Sequence, residues 1–95
     1  MPKNREDSTD MPYEACEPGL EQSVSEIMAD VLDVDRVSRT DSFYDFAGTS
    51  LQAIRICARI ESTLGLKALP LWLLSNDLLH DFVAELRTRS EQANA

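Results

Sequence analysis

The chain has 95 residues, 43% of them hydrophobic, which makes one small domain near the lower size limit for a single hydrophobic core. Its net charge of −8 lies in residues 1–35, with ten acidic and two basic side chains, because residues 36–95 carry seven of each. This balance argues against nucleic acid, whose binding needs clustered Lys and Arg, and against an anionic membrane surface.

The N-terminal third predicts a tail followed by one helix. Residues 1–17 mix charged, small and turn-forming residues without periodicity, so we predict a flexible acidic tail there. Pro18 is suited to open a helix, since its fixed φ and missing donor cost nothing at that position. A helix over about residues 19–33 follows, because one apolar stripe recurs at helical spacing. The stripe consists of Leu20, Val24, Ile27, Met28, Val31 and Leu32.

A long connection over residues 33–48 separates the first helix from the second. Loops of this length in small helical domains tend to be functional. Its apolar side chains are expected to pin it to the core, with a short helical turn at residues 42–46. The second helix is predicted over about residues 50–64, with Thr49 as its N-cap and Gly65 as the residue that ends it.

Two further helices complete the pattern. A short third helix is predicted over residues 70–74, because Pro70 is favoured in the first turn of a helix. A last helix is predicted over about residues 77–88, with Ser75 or Asn76 as its cap. Its inward stripe consists of Leu78, Leu79, Phe82, Val83 and Leu86.

We therefore predict an all-α domain over residues 18–89, followed by a second flexible tail over residues 90–95. Its fold is a four-helix bundle of three longer helices and one short helix, with the long loop between the first and second helices.

Cys16 and Cys57 lie 41 positions apart without Cys or His partners, so no zinc site is predicted. No export signal is present and the longest apolar run, residues 69–74, is too short to span a bilayer, which predicts a soluble, cytoplasmic chain.

Ser50 is the candidate functional residue. It follows a turn-forming glycine, Gly48, and opens the strongly helical stretch of residues 50–64. A hydroxyl at that place is exposed, fixed in conformation and close to the positive end of the helix dipole, which favours an attached anionic group. On position alone, a serine there is usually only a helix cap. The surrounding sequence of residues 41–51, Asp-Ser-Phe-Tyr-Asp-Phe-Ala-Gly-Thr-Ser-Leu, favours a functional role instead.

This stretch resembles the attachment site of the carrier proteins of nonribosomal peptide, polyketide and fatty acid synthesis. Peptidyl carrier proteins commonly show Asp-x-Phe-Phe-x-x-Gly-Gly-x-Ser-Leu. The positions in register here are Asp41, Phe43, Tyr44, Gly48, Ser50 and Leu51. Residues 27–37 are similar to the first helix and following turn of that family, and the resemblance covers about residues 20–87. Ala47 departs from the pattern where the first glycine is usual, and alanine is acceptable there if the position has negative φ. A second departure lies at residues 74–79, where the family often has an aromatic residue and a proline.

The resemblance implies a carrier rather than an enzyme, with no catalytic residues and no metal of its own. Ser50, flanked by Gly48 and Thr49, would carry a covalent 4′-phosphopantetheine, placed by a phosphopantetheinyl transferase from coenzyme A with Mg²⁺. The thiol of that arm would hold an aminoacyl, peptidyl or aryl group as a thioester. Partners would be an adenylation enzyme and downstream condensing or tailoring enzymes, and the carrier would be a monomer. Met1 at the start and the short stretch after the last helix predict a free-standing carrier, with an excised domain as the open alternative.

Residues around the serine favour the peptidyl branch of the superfamily. Fatty-acid-type carriers usually have Asp before the serine and acidic residues after it, whereas this chain has Thr49 before it and Arg55 and Arg59 after it. Two alternatives stay open: an acyl carrier for polyketide or fatty acid chains, and an armless helical interaction module. A hydrolase is disfavoured, since the chain has one histidine and no Gly-x-Ser-x-Gly elbow.

A partner-binding face is predicted beside Ser50. If the apolar stripe of the second helix points inward, then Leu51 and Ile54 lean outward and Arg55 is available for a charge contact. Exposed Leu and Ile beside an attachment point suggest a docking patch, although scattered apolar surface residues need no explanation of their own. Trp72 is included in the partner-binding set, with core or partly buried packing as the more usual place for tryptophan.

Overall fold

The computed structural model describes residues 2–93, and this part of the chain is a bundle of four α-helices without a regular strand. The α-helices are α1 (Leu20–Leu32), α2 (Ser50–Leu64), α3 (Pro70–Ser75) and α4 (Leu79–Ala93). Two 3₁₀ turns precede α1 and α2, at Arg5–Asp7 and Phe43–Phe46. The predicted all-α fold with three longer helices and one short helix is confirmed. No helix within residues 2–93 has both the length and the apolar character that crossing a bilayer requires.

The core lies where the apolar stripes of the helices meet. Helix α1 packs on α2 and α4, while α3 packs on α2 and α4. Burial of these apolar side chains is the main source of stability, at about 25 cal/mol for each Å² removed from water. The fully buried apolar side chains are Val24, Met28, Phe43, Ala53, Ile56, Ile60, Leu73, Leu79, Phe82, Val83 and Leu86.

Helix α2 has the predicted boundaries, because both of its ends have local signals. The Thr49 hydroxyl oxygen accepts a hydrogen bond from the Gln52 N–H at 3.3 Å, which makes Thr49 the N-cap. At the other end Gly65 has φ 68° and its N–H donates to the Glu61 carbonyl. Positive φ suits glycine because it has no Cβ. The cap geometry therefore fixes where Ser50 sits in the helix.

The boundaries predicted for α4 were wrong at both ends. Asn76 does not cap α4, since its side-chain N–H donates to the Trp72 carbonyl at 2.9 Å and so helps to end α3. Backbone carbonyls of the long loop supply the missing acceptors instead: Leu79 N–H donates to Asp41 O at 3.1 Å, and His80 N–H donates to Arg39 O at 3.0 Å. These contacts delay the start of α4 until Leu79.

The C-terminal end of α4 runs past the predicted end at residue 88. Good helix formers continue there without a breaker. An i,i+4 pair between Arg89 Nε and Glu85 Oε1, 2.8 Å apart, also spans the predicted end. The flexible tail predicted over residues 90–95 is therefore helical as far as Ala93, and residues 94–95 lie outside the described part of the chain.

The N-terminal segment (residues 3–13) packs on the domain, where we had predicted a flexible tail. Lys3 pairs with the backbone beside Val34: its N–H donates to Asp33 O at 2.9 Å, and its carbonyl accepts from Asp35 N–H at 2.8 Å. Arg5 is 1% exposed. Apolar periodicity in the sequence did not predict this packing. The packing depends on one arginine and on backbone groups, which leave no apolar pattern.

Candidate functional site

Ser50 is the first residue of α2, and its side chain is exposed. The hydrogen bond that caps the helix comes from the neighbouring Thr49, whose backbone is extended (φ −119°, ψ 169°). The Thr49 carbonyl also accepts from Ala53 N–H at 2.9 Å and so begins the helical hydrogen-bond ladder. The Ser50 hydroxyl is therefore held at the helix N-terminus without serving as the cap.

The approach to Ser50 is fixed by a close contact between Gly48 and Phe43. A Cβ atom at Gly48 would lie 2.5 Å from the Cζ atom of the Phe43 ring, which is closer than real Cβ atoms come to other groups. Phe43 itself is fully buried. Glycine is needed at position 48 for this close approach and not for an unusual φ. The chain thus crosses the aromatic ring two residues before Ser50.

Ala47 adopts the left-handed conformation, with φ 58° and ψ 36°. Its N–H donates to the Tyr44 carbonyl at 3.2 Å and closes the 3₁₀ turn of Phe43–Phe46. The sequence analysis accepted alanine here on the condition of negative φ, and the structure does not meet that condition. A left-handed residue with a Cβ costs about 1–2 kcal/mol, which explains why glycine is usual at this position.

Hydrogen bonds tie the serine loop (residues 41–49) to the connection between α3 and α4. Phe43 N–H donates to the Asp77 carbonyl at 2.7 Å, and the Ser42 hydroxyl donates to Asp77 Oδ2 at 2.5 Å. The Tyr44 hydroxyl donates to the Leu74 carbonyl at 2.6 Å. Phe43 and Tyr44 were named from the sequence as motif positions, but these contacts and their partners Leu74 and Asp77 were missed. The Ser42 side chain accepts from Tyr44 N–H in the manner of an N-cap, which is a readable local signal.

The exposed apolar residues include those predicted for the partner-binding face. Leu51 and Ile54 are 55% and 52% exposed, and Arg55 is also exposed. The prediction missed Leu71, the most exposed large apolar residue at 67%. Trp72 faces the other way: it is 9% exposed, with the Arg89 guanidinium 5.0 Å from its ring centroid. Its inclusion in the partner-binding set is corrected, since a ring packed in the core offers little surface to a partner.

Neither cysteine is placed for chemistry. Burial raises the pKa of the Cys57 thiol to about 11, and burial also raises the pKa of Cys16. Thiols with raised pKa values are protonated near neutral pH and are poor nucleophiles. Across the described residues 2–93, no group of His, Cys, Asp and Glu side chains is placed to hold a metal ion. Of the hydroxyl and thiol groups considered from the sequence, that of Ser50 is exposed at the start of a helix.

Comparison with known proteins gives the same reading. Residues 22–86 match the family model described as a phosphopantetheine attachment site. The chain is 50% identical over 50 residues, 53% of its length, to a probable non-canonical nonribosomal peptide synthetase, CymA, of Salinispora arenicola. It spans only 1% of the length of that synthetase. The similarity is therefore to one small domain of a much larger protein.

Solved structures share the fold. BlmI, a type-II acyl carrier protein from Streptomyces verticillus involved in bleomycin biosynthesis, superposes with a TM-score of 0.69 at 24% identity, covering 74% of this chain and 84% of that chain. A chain from the complex of the phosphopantetheine transferase Sfp with coenzyme A and a peptidyl carrier protein gives 0.73 at 21% identity, covering 80% and 99%. At these identities the likeness establishes the helical carrier fold.

The family match covers most of the chain and contains most of α1 and all of the serine loop, α2 and α3. Domains of this family carry covalent 4′-phosphopantetheine and are carriers rather than enzymes, so the predicted cofactor and carrier role are confirmed. The chain belongs to the family of phosphopantetheine attachment domains, and its predicted resemblance to the peptidyl carrier, or thiolation, domains of nonribosomal peptide synthesis is confirmed.

Proposed function

We propose that Ser50 is the attachment point for 4′-phosphopantetheine and that the chain carries an aminoacyl, peptidyl or aryl group in natural-product synthesis. The observation that carries this proposal is the exposed Ser50 hydroxyl at the first position of α2, next to a helix cap that Thr49 provides. When bound, the arm supplies a thiol that holds the cargo as a thioester. Partner enzymes make and break the bonds.

The end of α2 suits the phosphate of the arm. The first N–H groups of a helix have no partner inside the helix, and the helix dipole is positive there, so both favour an anion on the Ser50 oxygen. No acidic side chain lies in the first turn of α2 to oppose that charge. The small residue Gly48 keeps the backbone close to the ring of Phe43, which leaves the approach to Ser50 open.

Ser50 needs an external base for its modification. The chain supplies exposure and a fixed position, whereas the transferase, with coenzyme A and Mg²⁺, takes the proton of the hydroxyl. We propose that this transferase and the later enzymes dock on the face formed by Leu51, Ile54 and Arg55, because these exposed residues follow Ser50 along α2. Burial of an exposed leucine or isoleucine on docking contributes roughly 1.5–3 kcal/mol each when complete.

We propose an adenylation enzyme as the source of the cargo and condensing or tailoring enzymes as its destination. The support is the similarity of the chain to the probable nonribosomal peptide synthetase CymA and to gramicidin S synthase 1. We also propose a monomer, since one chain completes the core by itself. We propose a cytoplasmic location, with coenzyme A as the donor of the arm.

The attachment test is intact mass after incubation with coenzyme A, Mg²⁺ and a promiscuous phosphopantetheinyl transferase. We expect the parent chain to gain one phosphopantetheine and Ser50→Ala to gain none. Ser62→Ala is the matched control, because Ser62 is an exposed serine of the same helix, and it should be modified like the parent. A folded parent chain that gains nothing would make the chain an armless interaction module.

The cargo test uses the modified protein. Loading is compared between amino acids or aryl acids delivered by adenylation enzymes and malonyl groups delivered by an acyltransferase. We expect aminoacyl or aryl loading to exceed malonyl loading. Preferential malonyl loading would transfer the chain to the polyketide or fatty acid class while leaving Ser50 as its attachment point.

A further inference from the structure

Arg5 lies outside residues 22–86, which match the family, yet it is among the most deeply buried side chains of the protein. Its guanidinium binds Asp41 at both carboxylate oxygens, with Nε to Oδ2 at 2.5 Å and Nη2 to Oδ1 at 2.7 Å. Asp41 is fully buried as well. Arg5 thus forms a two-pronged buried ion pair with the first residue of the serine loop, 36 positions away in the chain.

The remaining donors of Arg5 hold the N-terminal segment itself. Nη2 donates to the Met11 carbonyl at 2.7 Å, and Nη1 donates to Glu6 Oε2 at 3.0 Å. The Arg5 backbone N–H donates to Asp35 Oδ1 at 2.7 Å. The hydrogen bonds to Asp41 raise the pKa of Arg5, so the side chain stays charged over the working pH range. The guanidinium therefore joins the N-terminal segment to the serine loop with donors on all three of its nitrogens.

Asp41 also contacts other parts of the loop and the start of α4. Its Oδ2 also accepts from Ser38 N–H at 2.9 Å, and its carbonyl accepts from Leu79 N–H at the start of α4 at 3.1 Å. Two residues later, the buried Phe43 ring lies against Gly48, which precedes Ser50 by two residues. A shift of Asp41 is thus transmitted through the loop to the position of the serine.

We propose that Arg5 is a positioning residue for the modification of Ser50, acting through Asp41 and the serine loop. This inference rests on the proposed attachment of the arm at Ser50. Without the guanidinium, the Asp41 carboxylate is a buried charge without its partner, and such a charge moves toward water. Movement of Asp41 loosens the loop, and only part of the population then presents Ser50 in the position that the transferase accepts. The apparent affinity falls in proportion to that fraction.

The kinetic signature separates positioning from stability alone. If fewer molecules present Ser50 in the position that the transferase accepts, the KM for the carrier rises. The kcat of the bound complex stays nearly unchanged. A residue that only stabilises the fold leaves both constants unchanged, provided that the variant is folded under the assay conditions. Hydrogen exchange of the amides of residues 41–49 gives an independent measure of loop opening.

The experiment measures KM and kcat for phosphopantetheinylation of the full chain, its Arg5→Lys and Arg5→Met variants, and the control Arg36→Met. Arg36 suits as a control because it also contacts the N-terminal segment, with its guanidinium 3.8 Å from the ring centroid of Tyr13, but it does not contact Asp41. We expect KM to rise about tenfold in Arg5→Met, as for a competent fraction near one tenth. The KM of Arg5→Lys should lie between those of the parent and of Arg5→Met, because lysine keeps the charge but not the two-pronged geometry.

The double variant Arg5→Met with Asp41→Asn tests the route. If Arg5 acts through the unpaired Asp41 carboxylate, the second substitution removes that charge and brings the KM of Arg5→Met back toward the parent value, so the two effects are not additive. The same variant serves where Arg5→Met alone fails to fold, because it removes both buried charges together. Faster exchange at residues 41–49 should accompany each rise in KM.

Three results overturn the inference in different ways. Folded Arg5 variants with the KM and loop exchange of the parent would show that Arg5 is structural only, while Ser50 remains the attachment point. A folded parent chain that accepts no arm would remove the proposed function and this inference together. Independent, additive effects of Arg5 and Asp41 would exclude the route through the ion pair.

Discussion

The serine loop and the N-terminal segment meet at Asp41, but different forces hold them to the bundle. The serine loop combines hydrogen bonds to Leu74 and Asp77 with apolar packing, in which Phe43 is fully buried and its ring contacts Gly48. The N-terminal segment is fixed by polar contacts, since Arg5 is the buried residue among residues 3–13. Loss of packing costs stability in proportion to the atoms removed, whereas loss of one partner of a buried ion pair strands a charge. The two attachments should therefore fail differently.

The largest expected effect comes from breaking the polar attachment. Arg5→Met leaves the Asp41 carboxylate buried without its partner, which should lower the free energy of unfolding by about 3–5 kcal/mol. Urea unfolding followed by the fluorescence of Trp72 measures the change. Arg36→Met, which removes a half-exposed cation that contacts the same segment, should cost less than about 1 kcal/mol. Equal losses of unfolding free energy in the two variants would mean that the buried Arg5–Asp41 pair contributes no more to stability than the exposed Arg36 side chain.

A smaller effect is expected when the apolar attachment is broken. Gly48→Ala places a methyl group where the Phe43 ring lies, so either the ring or the loop has to shift. Overpacking of this kind costs about 1–3 kcal/mol in the free energy of unfolding. The rate of modification at Ser50 should fall in the same variant. An unchanged unfolding free energy would show that the ring relocates without loss, which would contradict the view that the ring fixes the loop.

The smallest expected effect comes from removing backbone strain in the serine loop. Ala47→Gly removes the Cβ from a residue with φ 58°, and we expect the free energy of unfolding to rise by about 0.5–1 kcal/mol. Thermal unfolding measures the gain. Ala58→Gly is the matched control, because Ala58 is an exposed residue inside α2 and its replacement should lower stability by about 1 kcal/mol. A loss of stability in both variants would exclude strain at Ala47.

Most of the bundle could be predicted because its signals are local. Helix α2 was predicted from its cap Thr49, its apolar stripe and its terminal Gly65, and Ser50 was identified from the residues on either side of it. The start of α4 was not predictable in the same way. Its first N–H groups bind carbonyls of the long loop, and backbone acceptors of that kind carry no side-chain signature.

Two features of the site were beyond sequence reasoning. The partner of Arg5 is Asp41, which lies 36 positions away in the sequence. An arginine in an acidic segment and an aspartate in a loop are both common, so neither residue indicated the pair. The left-handed φ of Ala47 depends on the turn that Phe43–Phe46 makes once Phe43 is buried, so the residue type alone did not reveal it. Trp72 was assigned to two places because tryptophan suits both a core and an interface.

Thr49 and Ser50 are adjacent hydroxyl residues with separate tasks. Thr49 completes the hydrogen bonding of the helix, and the Ser50 oxygen is left for a covalent bond. If the two tasks fell on one side chain, esterification would remove the cap and each modification would weaken the helix by about 1 kcal/mol. With the tasks divided, attaching or hydrolysing the proposed arm leaves the helix cap in place. The apo and holo forms can then be exchanged repeatedly on one unchanged scaffold.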